Sequence, residues 1–152
     1  MQFRSTAFSS GKEIPEQYTC DGEDISPPFF WGDPPPGTQS FVIILDNPDA
    51  TTERGWVHWI LFNIPGEERS LPEAVPPIPE LEDGSLHGVN SEEWLRYVGP
   101  CPPFTQRYSF RLYALDTLLD LAAGANKEEI KQAMEGHILA QGELMGKYKR
   151  QD

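Results

Sequence analysis

Two stretches decide how this chain reads: Phe41-Val-Ile-Ile-Leu-Asp46 and Trp56-Val-His-Trp-Ile-Leu-Phe-Asn-Ile64. Both are rich in β-branched and aromatic residues and lie between proline and glycine punctuation, which is how strands are written. Their near-continuous apolarity predicts central strands buried on both faces. Alternation along the second stretch places Trp56, His58 and Ile60 on one face. Asp46-Asn47-Pro48-Asp49 closes the first stretch, so Asp49 is a candidate to orient the His58 imidazole; a backbone carbonyl is the alternative partner.

Outward from these strands, all fifteen prolines fall between Pro15 and Pro103, which argues against long helices over that span. Ser70 to Asn90 carries four prolines and no apolar period, and reads as a long connection. From Glu67 to Glu93 there are eight acidic residues against Arg69 alone, without the spacing of a cation site, so this is read as a solvated acidic excursion. Downstream, Arg107 to Leu115 alternates Tyr108, Phe110, Leu112 and Ala114 against Ser109, Arg111 and Tyr113, the pattern of a half-buried strand. Asn126 is placed as an N-cap, with Glu128 and Glu129 in the first turn and Gly136 past the end. A helix is therefore predicted over Lys127 to Glu135, with Ile130 and Met134 inward. His137 to Tyr148 is a last strand whose Gly142 and Gly146 permit close approach of another element.

A chain of 152 residues is long enough for one domain with a real core. Its 13 glycines and 15 prolines make it loop-rich without the excess that marks disorder. The net charge of −12 and pI near 4.6 repel phosphate backbones and anionic membranes, which argues against nucleic-acid binding. The N-terminus lacks a secretory apolar core and no window suits a membrane span, so a soluble cytoplasmic protein is expected. In that compartment Cys20 and Cys101 are expected as reduced structural thiols. The signatures of the common hydrolases, nucleotide binders and zinc enzymes are missing, and His58, His87 and His137 have no metal-ligand spacing, so neither a metal nor a cofactor is expected.

Gly99-Pro100-Cys101-Pro102-Pro103 is the remaining concentration of chemistry: a stiff wall whose glycine leaves backbone accessible, or a rigid turn with no ligand. With Asn47-Pro48-Asp49-Ala50, Gly55-Trp56-Val57-His58-Trp59 and Asn63-Ile64-Pro65 on one side, and Tyr97-Val98 before the wall and Arg107-Tyr108 after it, the chain resembles the phosphatidylethanolamine-binding proteins, or Raf kinase inhibitor proteins. Tyr18-Thr19-Cys20-Asp21-Gly22 and Ala140 to Tyr148 are similar to the prokaryotic YbhB/YbcL branch. The resemblance implies a mainly β fold with a large central sheet, a smaller sheet and a few short peripheral helices. It also implies a small surface pocket for a polar or anionic group, lined by Asn47, Asp49, Trp56, His58, Gly99, Cys101, Pro102, Pro103, Gln106 and Tyr108. The implied function is non-enzymatic binding or regulation, with a kinase, a protease or a second copy of the chain as admissible protein partners and no integral membrane association. Where the family usually has Asp-Pro-Asp this chain has Asn47-Pro48-Asp49, Thr51 replaces a proline, and Gln106 stands where a histidine is expected. Those departures imply weakened binding of phosphate-like anions. The competing readings are a hydrolase or isomerase using His58 as general base oriented by Asp49, with Cys101 the candidate nucleophile, and an interaction module acting through the acidic Ser70 to Asn90 loop.

Overall fold

The computed structural model describes residues 1–50 and 56–150. Thr51 and Gly55, which belong to the motifs above, lie outside the described residues. Among the described residues, eight strands and one helix follow in chain order: β1 (Gln2–Arg4), β2 (Phe29–Gly32), β3 (Ser40–Asn47), β4 (Trp56–Pro65), β5 (Ser70–Leu71), β6 (Leu86–His87), β7 (Gln106–Leu115), α1 (Lys127–Met134) and β8 (Ile138–Tyr148), with a 3₁₀ turn at Glu16–Tyr18. A five-stranded antiparallel sheet in the order β6-β4-β3-β7-β8 carries a three-stranded sheet, β1-β2-β5, on one face. The other face is covered by α1. Every residue of β3 is buried, as its unbroken apolarity predicts.

Two cores follow from strand alternation. Phe41, Ile43 and Leu45 of β3 meet Trp59 and Leu61 of β4, Phe110 and Leu112 of β7, and Phe3, Phe29 and Trp31 of the small sheet. Val42 and Ile44 meet Ile60, Phe62, Tyr113 and Leu115 beneath Ile130 and Met134 of α1. The helix starts at a capping box in which the Asn126 side chain accepts from the Glu129 N–H and the Glu129 carboxylate accepts from the Asn126 N–H. It ends one residue earlier than predicted, at Met134, and the chain leaves through Gly136 at φ +80°.

The Ser70 to Asn90 connection is less irregular than expected, because it contributes the two short strands β5 and β6. Its backbone is tied down by bonds such as His87 N–H to the Pro79 carbonyl and Ala74 N–H to the Ser26 carbonyl, both 2.9 Å. The acidic side chains are nearly all exposed, as the solvated reading expects.

Gly146 shows why the last strand carries small residues. A Cβ there would lie 2.5 Å from Ile14 Cγ1 and 3.0 Å from the Phe8 ring, both in the core, whereas a Cβ at Gly32 would meet nothing within 4 Å. Gly146→Ala is therefore expected to destabilise by about 1–3 kcal/mol through overpacking. Gly32→Ala is expected to stay within about 0.5 kcal/mol of the parent. Paired urea denaturation of the two variants checks this, and equal midpoints would contradict it.

Candidate functional site

At one end of the large sheet the regular pairing of β3 with β4 breaks. Leu45 pairs with Trp59 but Asp46 pairs with Val57, so His58 is the extra residue of a β-bulge. A bulge re-aims a side chain and is common beside binding sites. The expected shared face of Trp56, His58 and Ile60 is corrected accordingly: Ile60 packs under α1, whereas His58 sits edge-on to Tyr108 of the opposite core, ring centroids 5.3 Å apart.

The imidazole is only 6% exposed and its Nδ1 lies 2.7 Å from the Val98 carbonyl oxygen. A carbonyl only accepts, so Nδ1 carries the hydrogen and Nε2 of the neutral ring presents a lone pair. The Val98 N–H returns a bond to the His58 carbonyl at 3.1 Å, so Val98 runs as a backbone partner beside the bulge. Burial lowers the His58 pKa to about 4, against smaller upward pulls from the Val98 bond and the Asp46 charge. Of the two partners open to His58, the backbone carbonyl is the one it takes, and the His58–Asp49 pair does not form. Asp49 instead accepts from the Arg107 backbone N–H at 2.8 Å and from its guanidinium at 2.7 and 3.2 Å, which holds its carboxyl below the usual range.

Two further groups are fixed beside the imidazole. Asn47 Nδ2 donates to Gln106 Oε1 at 2.6 Å, and Asn47 Oδ1 accepts from the Asp49 N–H at 2.8 Å. The free end of Gln106 is therefore its NH2, a donor. The Tyr108 phenol is buried, and burial raises its pKa, so it stays protonated.

The proline segment forms the facing wall, and its glycine differs from expectation. The Gly99 N–H is not open to a ligand, because it donates to Asp24 Oδ1 at 2.7 Å. A Cβ on Gly99 would strike the Tyr18 carbonyl oxygen, so this glycine serves close packing. The same two segments are joined by Tyr97 Oη donating to the Tyr18 carbonyl, at 2.6 Å, and by a disulfide. Cys20 and Cys101 are bonded, with Cα atoms 5.4 Å apart. That corrects the reduced-thiol expectation: the two cysteines are 81 positions apart in sequence, and the fold brings them together. A native disulfide also stands against the cytoplasmic expectation. Among the described residues no helix is long and apolar enough to cross a membrane.

These elements line an open cavity of about 240 Å³. Of the ten residues expected at the site, the structure gathers Asn47, Trp56, His58, Gly99, Cys101, Pro102, Gln106 and Tyr108 around it. Asp49 and Pro103 are not in the lining. Val98 and Glu92 are, and neither was expected. Val98 stood inside a quoted motif, whereas Glu92 carried no sequence signal. Glu92 reaches the rim because the buried Asn90 carboxamide accepts from the Glu92 and Trp94 N–H groups, at 2.9 and 3.0 Å.

Comparison with known proteins agrees with this frame. The chain belongs to the phosphatidylethanolamine-binding protein family, whose model matches residues 4–149. Within the family it sides with the YbcL-like branch. It is similar to the crystal structure of Escherichia coli YbcL, described as a member of the mammalian PEBP family, with TM-score 0.91, 26% identity and 99% and 98% of the two chains covered. A crystal structure of a phosphatidylethanolamine-binding protein homologue from Chlamydia trachomatis superposes with TM-score 0.90 at 37% identity, covering 99% and 97%. A relative from Methanothermobacter thermautotrophicus, named UPF0098 protein, is 49% identical over 151 residues, 99% of each chain.

Two outcomes test this geometry. His58 binds its proton less readily folded than unfolded, so the unfolded state takes up more protons between about pH 4 and 6.5, and stability is expected to rise with pH across that window. The His58 contribution is full above about 6.5, lost below about 4, and amounts to roughly 3 kcal/mol. Urea unfolding of the parent and His58→Gln should show a stability difference that varies with pH through this window; a constant difference contradicts a buried neutral imidazole. Removing the bridge by Cys20→Ser with Cys101→Ser is expected to cost about 4–5 kcal/mol, from the loop it closes. Unchanged unfolding of the oxidised protein after treatment with reductant would contradict a native disulfide.

Proposed function

We propose that the protein is a non-enzymatic binding or regulatory protein that takes a small, neutral or singly charged polar group in the cavity beside His58. The observation that carries this reading is the convergence there of His58, Tyr108, Gln106 and Trp56 from two strands, against a stiff proline wall. A cavity of about 240 Å³ has the volume of roughly eight water molecules, at about 30 Å³ each, which admits a small polar group. A hydrolase or isomerase is less favoured. A histidine with a pKa of about 4 is a weak base near neutrality, Asp49 does not orient it, and Cys101 is held in a disulfide. Inhibition of a kinase or protease, with the cavity or its rim as the contact, extends the same reading to a protein partner. A cytoplasmic location fits the bridge where the cytoplasm tolerates disulfides, as in hyperthermophiles.

Phosphate-type ligands are expected to bind at millimolar affinity or worse, about −4 kcal/mol or less favourable. A neutral His58 offers a dianion a lone pair in place of a charged donor, and the net charge of −12 opposes its approach. Calorimetric titration with phosphate and phosphoethanolamine at low salt and pH 6 tests this. Micromolar binding abolished by His58→Ala would overturn it.

A further inference from the structure

An open groove of about 420 Å³ lies between the proline strip at 77–79 and the turn at 93–96, lined by Pro77, Pro79, Glu93, Trp94, Leu95 and Arg96. It shares no residue with the lining of the His58 cavity. Buried groups fix both of its banks. On one, the His87 ring donates from Nδ1 to the Ile78 carbonyl at 2.7 Å, and the His87 N–H donates to the Pro79 carbonyl at 2.9 Å. On the other, Asn90 accepts at Oδ1 from the Trp94 N–H at 3.0 Å, donates its own N–H to the Trp94 carbonyl at 2.9 Å, and donates from Nδ2 to the Arg96 carbonyl at 2.8 Å. Trp94 is thus held in place with 47% of its surface exposed, and Ile78 of the strip is 46% exposed. Large apolar side chains left in solvent within a charged rim mark interaction sites.

We infer that this groove docks a partner protein through a basic segment carrying an aliphatic anchor residue. The inference stands without the cavity reading. Charge selects the occupant: residues 73–96 hold six acids, Glu73, Glu80, Glu82, Asp83, Glu92 and Glu93, against Arg96, and all seven side chains are exposed. Glu80 follows the strip in the chain and Glu93 lines the groove, and among the described residues neither is in an ion pair. The Arg96 guanidinium lies over the Trp94 ring, 4.5 Å from its centroid, the arrangement in which an aromatic face attracts a cation. A second copy of this chain would bring a net charge of −12 against the same acids, which disfavours self-association here. An added β-strand is disfavoured too. Pro76, Pro77 and Pro79 have no N–H to offer, and the Ile78 N–H is turned onto the Pro76 carbonyl at 2.9 Å. The occupant is therefore held by side chains, with an aliphatic residue against Trp94, Leu95 and the proline rings, and lysine or arginine facing the acids.

The test uses three peptides with blocked ends at pH 7 and low salt: Lys-Lys-Leu-Pro-Leu-Lys-Lys, the same peptide with serine for both leucines, and the same peptide with glutamate for every lysine. Binding is followed by calorimetry and by the NMR signals of the Trp94 and Trp56 indoles, the second of which reads the cavity. The first peptide is expected to shift the Trp94 signal saturably, to leave Trp56 unmoved, and to bind at least about tenfold more tightly than either control. Raising the salt to about 0.5 M is expected to weaken it about threefold. Trp94→Ala is expected to weaken it about tenfold and Glu93→Gln about threefold. The peptide comparison is made on the parent chain, so its outcome does not depend on how the variants fold. Equal binding of the three peptides, or tighter binding of the acidic one, overturns the inferred chemistry of the partner. Shifts at Trp56 with none at Trp94 overturn the groove as the contact, and so does the absence of any shift. Self-association in sedimentation, abolished by Trp94→Ala, makes a second copy the occupant and overturns the heterologous partner.

Discussion

The site hangs on one reciprocal contact. His58 donates from Nδ1 to the Val98 carbonyl, and Val98 donates from its N–H to the His58 carbonyl. An imidazole buried in a strand this apolar has to satisfy its N–H, and losing that partner would strand a buried donor at a cost of about 1–3 kcal/mol. By satisfying it with backbone, the fold does three things together. It fixes the tautomer, so that an acceptor faces the cavity. It binds the 88–98 segment along the outer edge of β4, where Ser91 N–H also reaches the Val57 carbonyl. It places the proline wall, which begins one residue later, opposite the bulge that turned His58 toward Tyr108.

The chemistry of the cavity follows from what its neighbours have already committed. Where the family resemblance leads one to expect an acid and a histidine, Asn47 and Gln106 form a neutral amide pair at 2.6 Å. Such a pair preserves the geometry of a hydrogen-bonded couple but neither gains nor loses a proton in the working range. Asp49, the carboxylate that remains, is turned away and neutralised by Arg107. The Asn47–Gln106 side of the cavity is then held by a bond that does not titrate, and burial keeps His58 neutral except in acid. The disulfide and the Tyr97–Tyr18 bond do the same for the opposite wall, joining it to the 18–24 segment far away in sequence.

The legible parts of the sequence were those governed by local rules. The buried strands around Ile43 and Leu61, the alternation of β7 and the Asn126 cap all follow from period and capping chemistry, each acting over a few residues. The small residues of β8 announced a close approach but not its partner, Ile14, which is more than 130 positions earlier. The face of His58 was misread because alternation assumes an unbroken ladder, and a bulge depends on the neighbouring strand. The disulfide was misread because compartment was inferred before geometry, although Cys20 and Cys101 each sat in a quoted motif. Glu92 stayed invisible for a further reason. An exposed acid in an acidic stretch reaches the rim only because Asn90 and the edge of β4 carry it there.

Charge shows the same division between what is local and what is built by the fold. The acidic excess of the 67–93 stretch lies mostly on exposed side chains, where solvent screens it. Within the sheet the acids are matched one by one. Asp46, buried at the end of β3, receives Lys127 from α1 at 2.8 Å and Arg111 from β7 at 3.1 Å, and Arg111 also reaches Glu143. A carboxylate so placed must keep its cations, because removing either leaves a buried charge short of a partner. This pairing docks the start of α1 on the sheet face opposite the cavity, while Arg107 answers Asp49 beside the cavity. With those six ionic groups cancelling one another in the frame, Glu92 carries the one full charge among the described residues that line the cavity. The long-range field of the acidic surface therefore acts in the same sense as the rim.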